Sequence, residues 1–125
     1  MPVRVLVVDD QEPFRLTAQL VVEMTDGFEV VGVSETGEEA VQAARELNPD
    51  MILMDVKLPD IDGVEATRRI LQDSQRVVVL VMSTYEEGEY APLAAEVGAA
   101  SYVTKHEFSP EQLEELWEAA QAAQG

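Results

Sequence analysis

The chain contains no cysteine, which excludes disulfides and thiolate-held metal. Basic residues are scarce: eight Lys plus Arg stand against twenty-five Asp plus Glu, a formal net charge of -17 at pH 7. A nucleic-acid surface needs a basic face to displace phosphate counterions. Direct nucleic-acid binding by this chain is therefore not expected, and the scattered Glu residues read as a solvated surface. No apolar run approaches the roughly 20 residues of a membrane helix. Met1-Pro2-Val3 leads straight into a strand-like run, without the basic start and longer apolar stretch of a secretory signal. These absences predict a cytoplasmic protein with no membrane partner. Linkers, repeats and low-complexity segments are also lacking. With 125 residues, 46% of them hydrophobic, one domain over residues 1–125 is expected.

Three common sites are missing as well. The turn after the first apolar run is Asp9-Asp10-Gln11-Glu12-Pro13. It is acidic and lacks glycine, so it would repel a dinucleotide or flavin phosphate. Gly27 and Gly32 have Walker-like spacing, but Val33-Ser34 stands where Lys-Ser/Thr is needed. Asp60-Ile61-Asp62-Gly63 imitates part of a calcium loop, yet Leu58 and Arg69 occupy its first and twelfth ligand positions.

What is present is a strict alternation. Val3 to Val8, Glu29 to Val33, Met51 to Met54, Val77 to Met82 and Ser101 to Thr104 read as strands. Between and after them, helices are expected over Pro13 to Met24, Gly37 to Leu47, Gly63 to Leu71, a shorter stretch ending at Gly98, and Ser109 to Ala123. The first helix is expected to face inward through Phe14, Thr17, Leu20, Val21 and Met24. Pro92 would cost about 3 kcal/mol in a helix interior. The fourth helix should therefore start near Tyr90, after a mobile loop from Tyr85 to Glu89. Ser109, Pro110 and Gln112 form the start of a capping box, and Leu113, Leu116, Trp117 and Ala120 share one stripe, with Trp117 packing on the core. The tail from Ala119 to Gly125 reads as a fraying helix end. Five β-α units imply an α/β fold: a doubly wound, five-stranded parallel sheet with helices on both faces, strand order 2-1-3-4-5.

In such a sheet the residues leaving the carboxyl ends of the strands share one crevice. Asp9 and Asp10 leave the first strand, Asp55 the third, Ser83 and Thr84 the fourth, and Lys105 the fifth. Two carboxylates about 4 Å apart repel by roughly 4 kcal/mol at an effective dielectric near 20. Three cannot all stay ionised without cations. Lys105 supplies one charge, and a hard divalent ion such as Mg²⁺ (or Mn²⁺) suits the rest. A single Asp here could merely cap a helix, Asp10 before the first one for instance. Three with a Lys and a hydroxyl point to chemistry.

Val7-Val8-Asp9-Asp10, Leu53-Met54-Asp55-Val56-Lys57-Leu58-Pro59-Asp60-Ile61-Asp62-Gly63, Ser83 and Tyr102-Val103-Thr104-Lys105 together resemble the receiver domain of two-component response regulators. The resemblance runs from about Val3 to about Ala120. It implies that Asp55 is the phosphoacceptor for a histidine kinase or phosphotransfer protein. It implies that Asp10, Asp55 and the Lys57 backbone carbonyl ligate Mg²⁺, with Asp9 acting through water. Lys105 and Ser83 would contact the phosphoryl oxygens. Tyr102 would be the switch aromatic, with Ser83 and Thr84 beside it, and Thr84 would restrict access to Asp55. Lys57 and Tyr85 occupy positions that tune phosphate lifetime. An output domain or protein partner is implied, the style being that of receivers joined to a helix-turn-helix output, and a phosphorylation-dependent homodimer is compatible with it. His106 stands where many receivers have a proline after a cis bond, so a trans peptide is expected. As the only histidine, it leaves the phosphodonor to another chain. On this reading the chain is a signalling switch that catalyses only its own phosphorylation and dephosphorylation. The alternative is a haloacid-dehalogenase-type phosphatase or phosphotransferase, which would need a second Asp where Gln11 stands. An interaction module that has lost phosphorylation is a third reading, against which the complete Asp/Ser/Lys set argues.

Overall fold

The computed structural model describes residues 1–84 and 90–124. Strands β1 (Val3–Val8), β2 (Phe28–Ser34), β3 (Met51–Asp55), β4 (Val78–Ser83) and β5 (Ser101–Thr104) form one parallel sheet in the order β2-β1-β3-β4-β5. Helices α1 (Glu12–Glu23), α2 (Gly37–Leu47), α3 (Gly63–Asp73), α4 (Tyr90–Glu96) and α5 (Pro110–Gln124) alternate with them. The central strands β3 and β4 are buried throughout, as expected of strands covered on both faces.

Side-chain alternation along the strands divides the core in two. Val5, Val7, Leu53, Leu80 and Met82 point toward α1 and α5, where Ala18, Val22, Leu113 and Ala120 meet them. Leu6, Val8, Ile52, Met54 and Val81 point the other way, onto Ala40 and Val41 of α2, Ala66 and Ile70 of α3 and Ala94 of α4. Trp117 packs at the edge of the first core, edge-on to Phe28 at 6.3 Å between ring centroids.

Three local expectations need correction or limits. The inward face of α1 is Ala18 and Val22, flanked by Phe14 and Val21. Leu20 and Met24 are 57% and 66% exposed, and Thr17 is exposed too. The capping box of α5 is half made: Gln112 N–H donates to Ser109 Oγ at 3.2 Å, but buried Gln112 Oε1 has no partner. Pro92 does lie in the first described turn of α4, while the loop expected over Tyr85 to Glu89 falls outside the described residues. No described peptide bond is cis, as expected for Lys105-His106.

Candidate functional site

The sheet's carboxyl edge gathers the expected residues. Asp9 and Asp10 follow β1, Asp55 closes β3, Ser83 closes β4, and Lys105 follows β5. Asp10, Asp55, Ser83, Thr84 and Lys105 line one cleft with Gln11, Val56 and Lys57. Asp9 sits beneath, 1% exposed; Asp55 and Ser83 are also buried, and Thr84 is exposed at the rim. Asp10 does not cap α1: the cap position is Gln11, with no side-chain cap bond. Its carboxylate is thus left to face the cleft.

Lys105 Nζ stands 2.6 Å from Asp9 Oδ2 and 3.2 Å from Asp55 Oδ1. The same ammonium rests over the Phe14 ring, 4.6 Å from the centroid. Asp9 Oδ1 accepts from Gln11 N–H at 2.8 Å. Buried Asp9 Oδ2 has that ion pair and no hydrogen bond besides. Burial pushes the Asp55 carboxyl from its ordinary 3.8 up to about 6, and the charge of Asp9 pushes the same way. Lys105 and the Lys57 backbone N–H pull it down without overcoming them. One ammonium therefore does not balance this pocket.

Oxygens of Asp9, Asp10 and Asp55 all lie within 4.8 Å of one another. This all-oxygen donor set, partly open to water, fits a hard divalent cation such as Mg²⁺. The crowding of three carboxylates around a single contacting ammonium supports the fit.

The β3–α3 loop is held from several sides. Val56 N–H donates to Met82 O at 2.9 Å, and Gly63 N–H to Val56 O at 2.8 Å. Asp62 caps α3 by accepting from Glu65 N–H. Asp60 reaches across to α2, accepting from Gly37 N–H and Glu38 N–H, each at 2.8 Å. Slight burial disfavours the ionised carboxyl of Asp60, but the Glu38 and Gly37 donors outweigh it and hold the group below its usual range.

Asp60→Ala is expected to destabilise the fold by about 1 kcal/mol, the usual cost of losing a helix cap. A depressed carboxyl contributes stability fully above its unfolded value of 3.8 and loses it as pH falls through the folded value. The deficit of the variant should therefore shrink in acid. Urea titrations at neutral and acidic pH check both statements.

Tyr102 lies opposite Val81 and does not line the cleft. Its ring packs on the α2–α4 core, and its buried hydroxyl has no hydrogen-bond partner among the described residues. Tyr85 lies outside the described residues. The sequence reading missed Arg15, whose Nη1 donates to Asp9 O at 2.9 Å, and Asp60. It took Phe14 for core alone. Arg15 follows the Asp-rich turn closely enough to have been a candidate; the Asp60 contact, 23 residues away, leaves no local signal.

A family model described as the response regulator receiver domain matches residues 5–118. Response regulator GacA of Pseudomonas viridiflava is 43% identical over 103 residues, covering 82% of this chain and 48% of that protein. Transcriptional regulatory protein DegU of Brevibacillus brevis is 38% identical over 103 residues, covering 82% and 44%. The chain thus spans about half the length of the curated relatives it matches. Among solved structures, a two-component response regulator of the LuxR family from Aurantimonas sp. SI85-9A1 superposes with a TM-score of 0.88 at 33% identity, covering 98% of this chain and 87% of that one. The response regulator domain of Thermotoga maritima CheB gives 0.86 at 31%, covering 97% and 98%. These similarities do not favour the haloacid-dehalogenase reading.

Proposed function

Because this chain belongs to the response regulator receiver domain family of two-component systems, we propose that Asp55 accepts a phosphoryl group from a phosphohistidine on a histidine kinase or phosphotransfer protein. An Asp55 oxygen forms the new bond to phosphorus as the bond to the donor imidazole nitrogen breaks. Positioning and charge neutralisation are what such a transfer needs. The observation that carries this reading is the contact of one ammonium with two buried carboxylates, Asp9 and Asp55, beneath an open cleft.

Bound Mg²⁺ would supply charge neutralisation for the phosphoryl oxygens; Asp10, Asp55 and the Lys57 carbonyl would hold it, with Asp9 acting through water. Lys105 pairs with a phosphoryl oxygen. Ser83, buried at the end of β4, donates its hydroxyl to another. Movement of Ser83 toward the phosphoryl group, with Thr84 alongside, biases Tyr102, whose buried hydroxyl has no partner among the described residues. Reversing a strongly one-sided equilibrium needs roughly 5 kcal/mol of differential stabilisation; a phosphoryl group with nearly two negative charges and three acceptor oxygens is of that order. Lys57 and Tyr85 set how long the group survives, and slow self-dephosphorylation resets the switch. The names of the relatives, including a transcriptional regulator and a LuxR-family regulator, support control of a helix-turn-helix output. No described helix is long and apolar enough to cross a membrane.

Incubation with acetyl phosphate and Mg²⁺, followed by intact-mass measurement, is expected to add one phosphoryl group. Chelator and Asp55→Asn should each abolish it. An adduct that survives Asp55→Asn would place the acceptor elsewhere. Turnover of a generic phosphate ester, beyond stoichiometric labelling, would favour a phosphatase.

A further inference from the structure

We propose that Phe14 is a positioning residue for phosphoryl transfer, its ring face holding the Lys105 ammonium over Asp55; the inference rests on the function proposed above. Two carboxylates compete for Lys105, and Asp9 is the nearer, at 2.6 Å against 3.2 Å for Asp55. A lysine has four flexible carbons and a compact, strongly hydrated head. Nothing in the two ion pairs alone keeps that head from turning outward to water. Outward, there is room: a second cleft, lined by Phe14, Thr17, Thr84, His106 and Phe108, opens beside Lys105. The Phe14 ring stands at this boundary, its centroid 4.6 Å from Nζ, within range of a cation–π attraction. The Lys105 side chain is only 13% exposed, which strengthens that attraction by removing competing water.

Phe14 belongs to the first turn of α1 and also packs against the core. Apolar packing alone would explain its presence but not the placement of a charge on its face. The two roles separate cleanly, because ring fluorination weakens the π face while nearly preserving shape. Phenylalanine carrying one, two and three fluorines should be incorporated at position 14 of the full chain, and the rate of labelling by acetyl phosphate with Mg²⁺ measured.

The rate is expected to fall stepwise, by about three- to tenfold at the third fluorine, with melting temperature unchanged. Phe14→Tyr should keep the parent rate and Phe14→Leu should fall about as far as the third fluorine takes it. The same series at Phe108, which lines the second cleft without receiving the ammonium, should be flat. Equal rates across the position-14 series in a chain that labels normally would overturn the role of Phe14 and leave the phosphoacceptor reading intact. An equal fall at both positions would also overturn it. A parent chain that takes no label would overturn the functional reading and this inference together.

Discussion

In metal-free buffer at about pH 7.5, Asp55→Asn is expected to melt roughly 5–10 °C above the parent chain, while taking no phosphoryl group at all. The Asp55 carboxyl titrates near 3.8 when exposed and near 6 in the fold. Between those values the folded chain holds a proton that the unfolded chain has released. Stability is therefore highest below the unfolded value and falls as pH rises through the folded one. Allowing for solvent screening at the partly open cleft, the ionised carboxylate costs about 2 kcal/mol at neutral pH. Burial is the larger cause and the adjacent Asp9 the second. A neutral amide of the same shape escapes both. Calorimetry at about pH 4 should show the two proteins converging, because the parent carboxyl is then mostly protonated in the fold. Added Mg²⁺ should raise the parent more than the variant. Equal melting at pH 7.5 would mean that the Lys105 pairing fully offsets burial and the Asp9 charge.

Gly63→Ala is expected to cost about 3 kcal/mol or more, at the upper end of overpacking penalties, and to reduce labelling at least tenfold. A Cβ at Gly63 would lie 2.1 Å from the Asp55 carbonyl oxygen, 2.9 Å from its carbonyl carbon and 3.0 Å from Val56 Cα. All three are backbone atoms, so no side chain can swing aside. The segment that must yield is the one that aims Asp55. Gly32→Ala is the control, since its Cβ meets the Leu47 Cδ1 tip at 2.7 Å, a flexible group that does not line the cleft. Urea denaturation and the mass assay on both variants make the comparison. Normal labelling in Gly63→Ala would show that α3 can retreat without moving the acceptor.

The strands were legible because each is a short apolar run bounded by polar or turn residues, and the bounds of β1, α2 and β5 coincide with expectation. At the end of α2, Asn48 adopts the left-handed conformation with φ 48, which is why Asn48-Pro49-Asp50 reads as a stop. The site was legible for the same reason: in a doubly wound sheet, leaving a strand fixes where a residue goes. The phase of α1 was not. That helix carries two apolar stripes at helical spacing, Phe14-Ala18-Val22 and Leu16-Leu20-Met24, and periodicity cannot choose between them. The sheet accepts the one with the small Ala18 at its centre and leaves Leu16, Leu20 and Met24 in water. Asp60 and Phe14 were illegible as site components because their contacts are made across elements, where spacing along the chain carries no information. Gln112 shows the limit of a motif: Ser109 makes its half of the cap, while the buried amide oxygen finds no donor.

The tethering of the β3–α3 loop has a mechanical consequence. With one flank bonded to β4 through Val56, another to α2 through Asp60, and Gly63 in tight contact with the Asp55 backbone, that side of the pocket behaves as an anvil. On the proposed function, an incoming phosphoryl group would find little give in the backbone there. On that proposal the parts expected to adjust are the side chains across the gap, the hydroxyl that ends β4 and the ammonium that follows β5, so the direction of the signal would be set before any phosphate arrives.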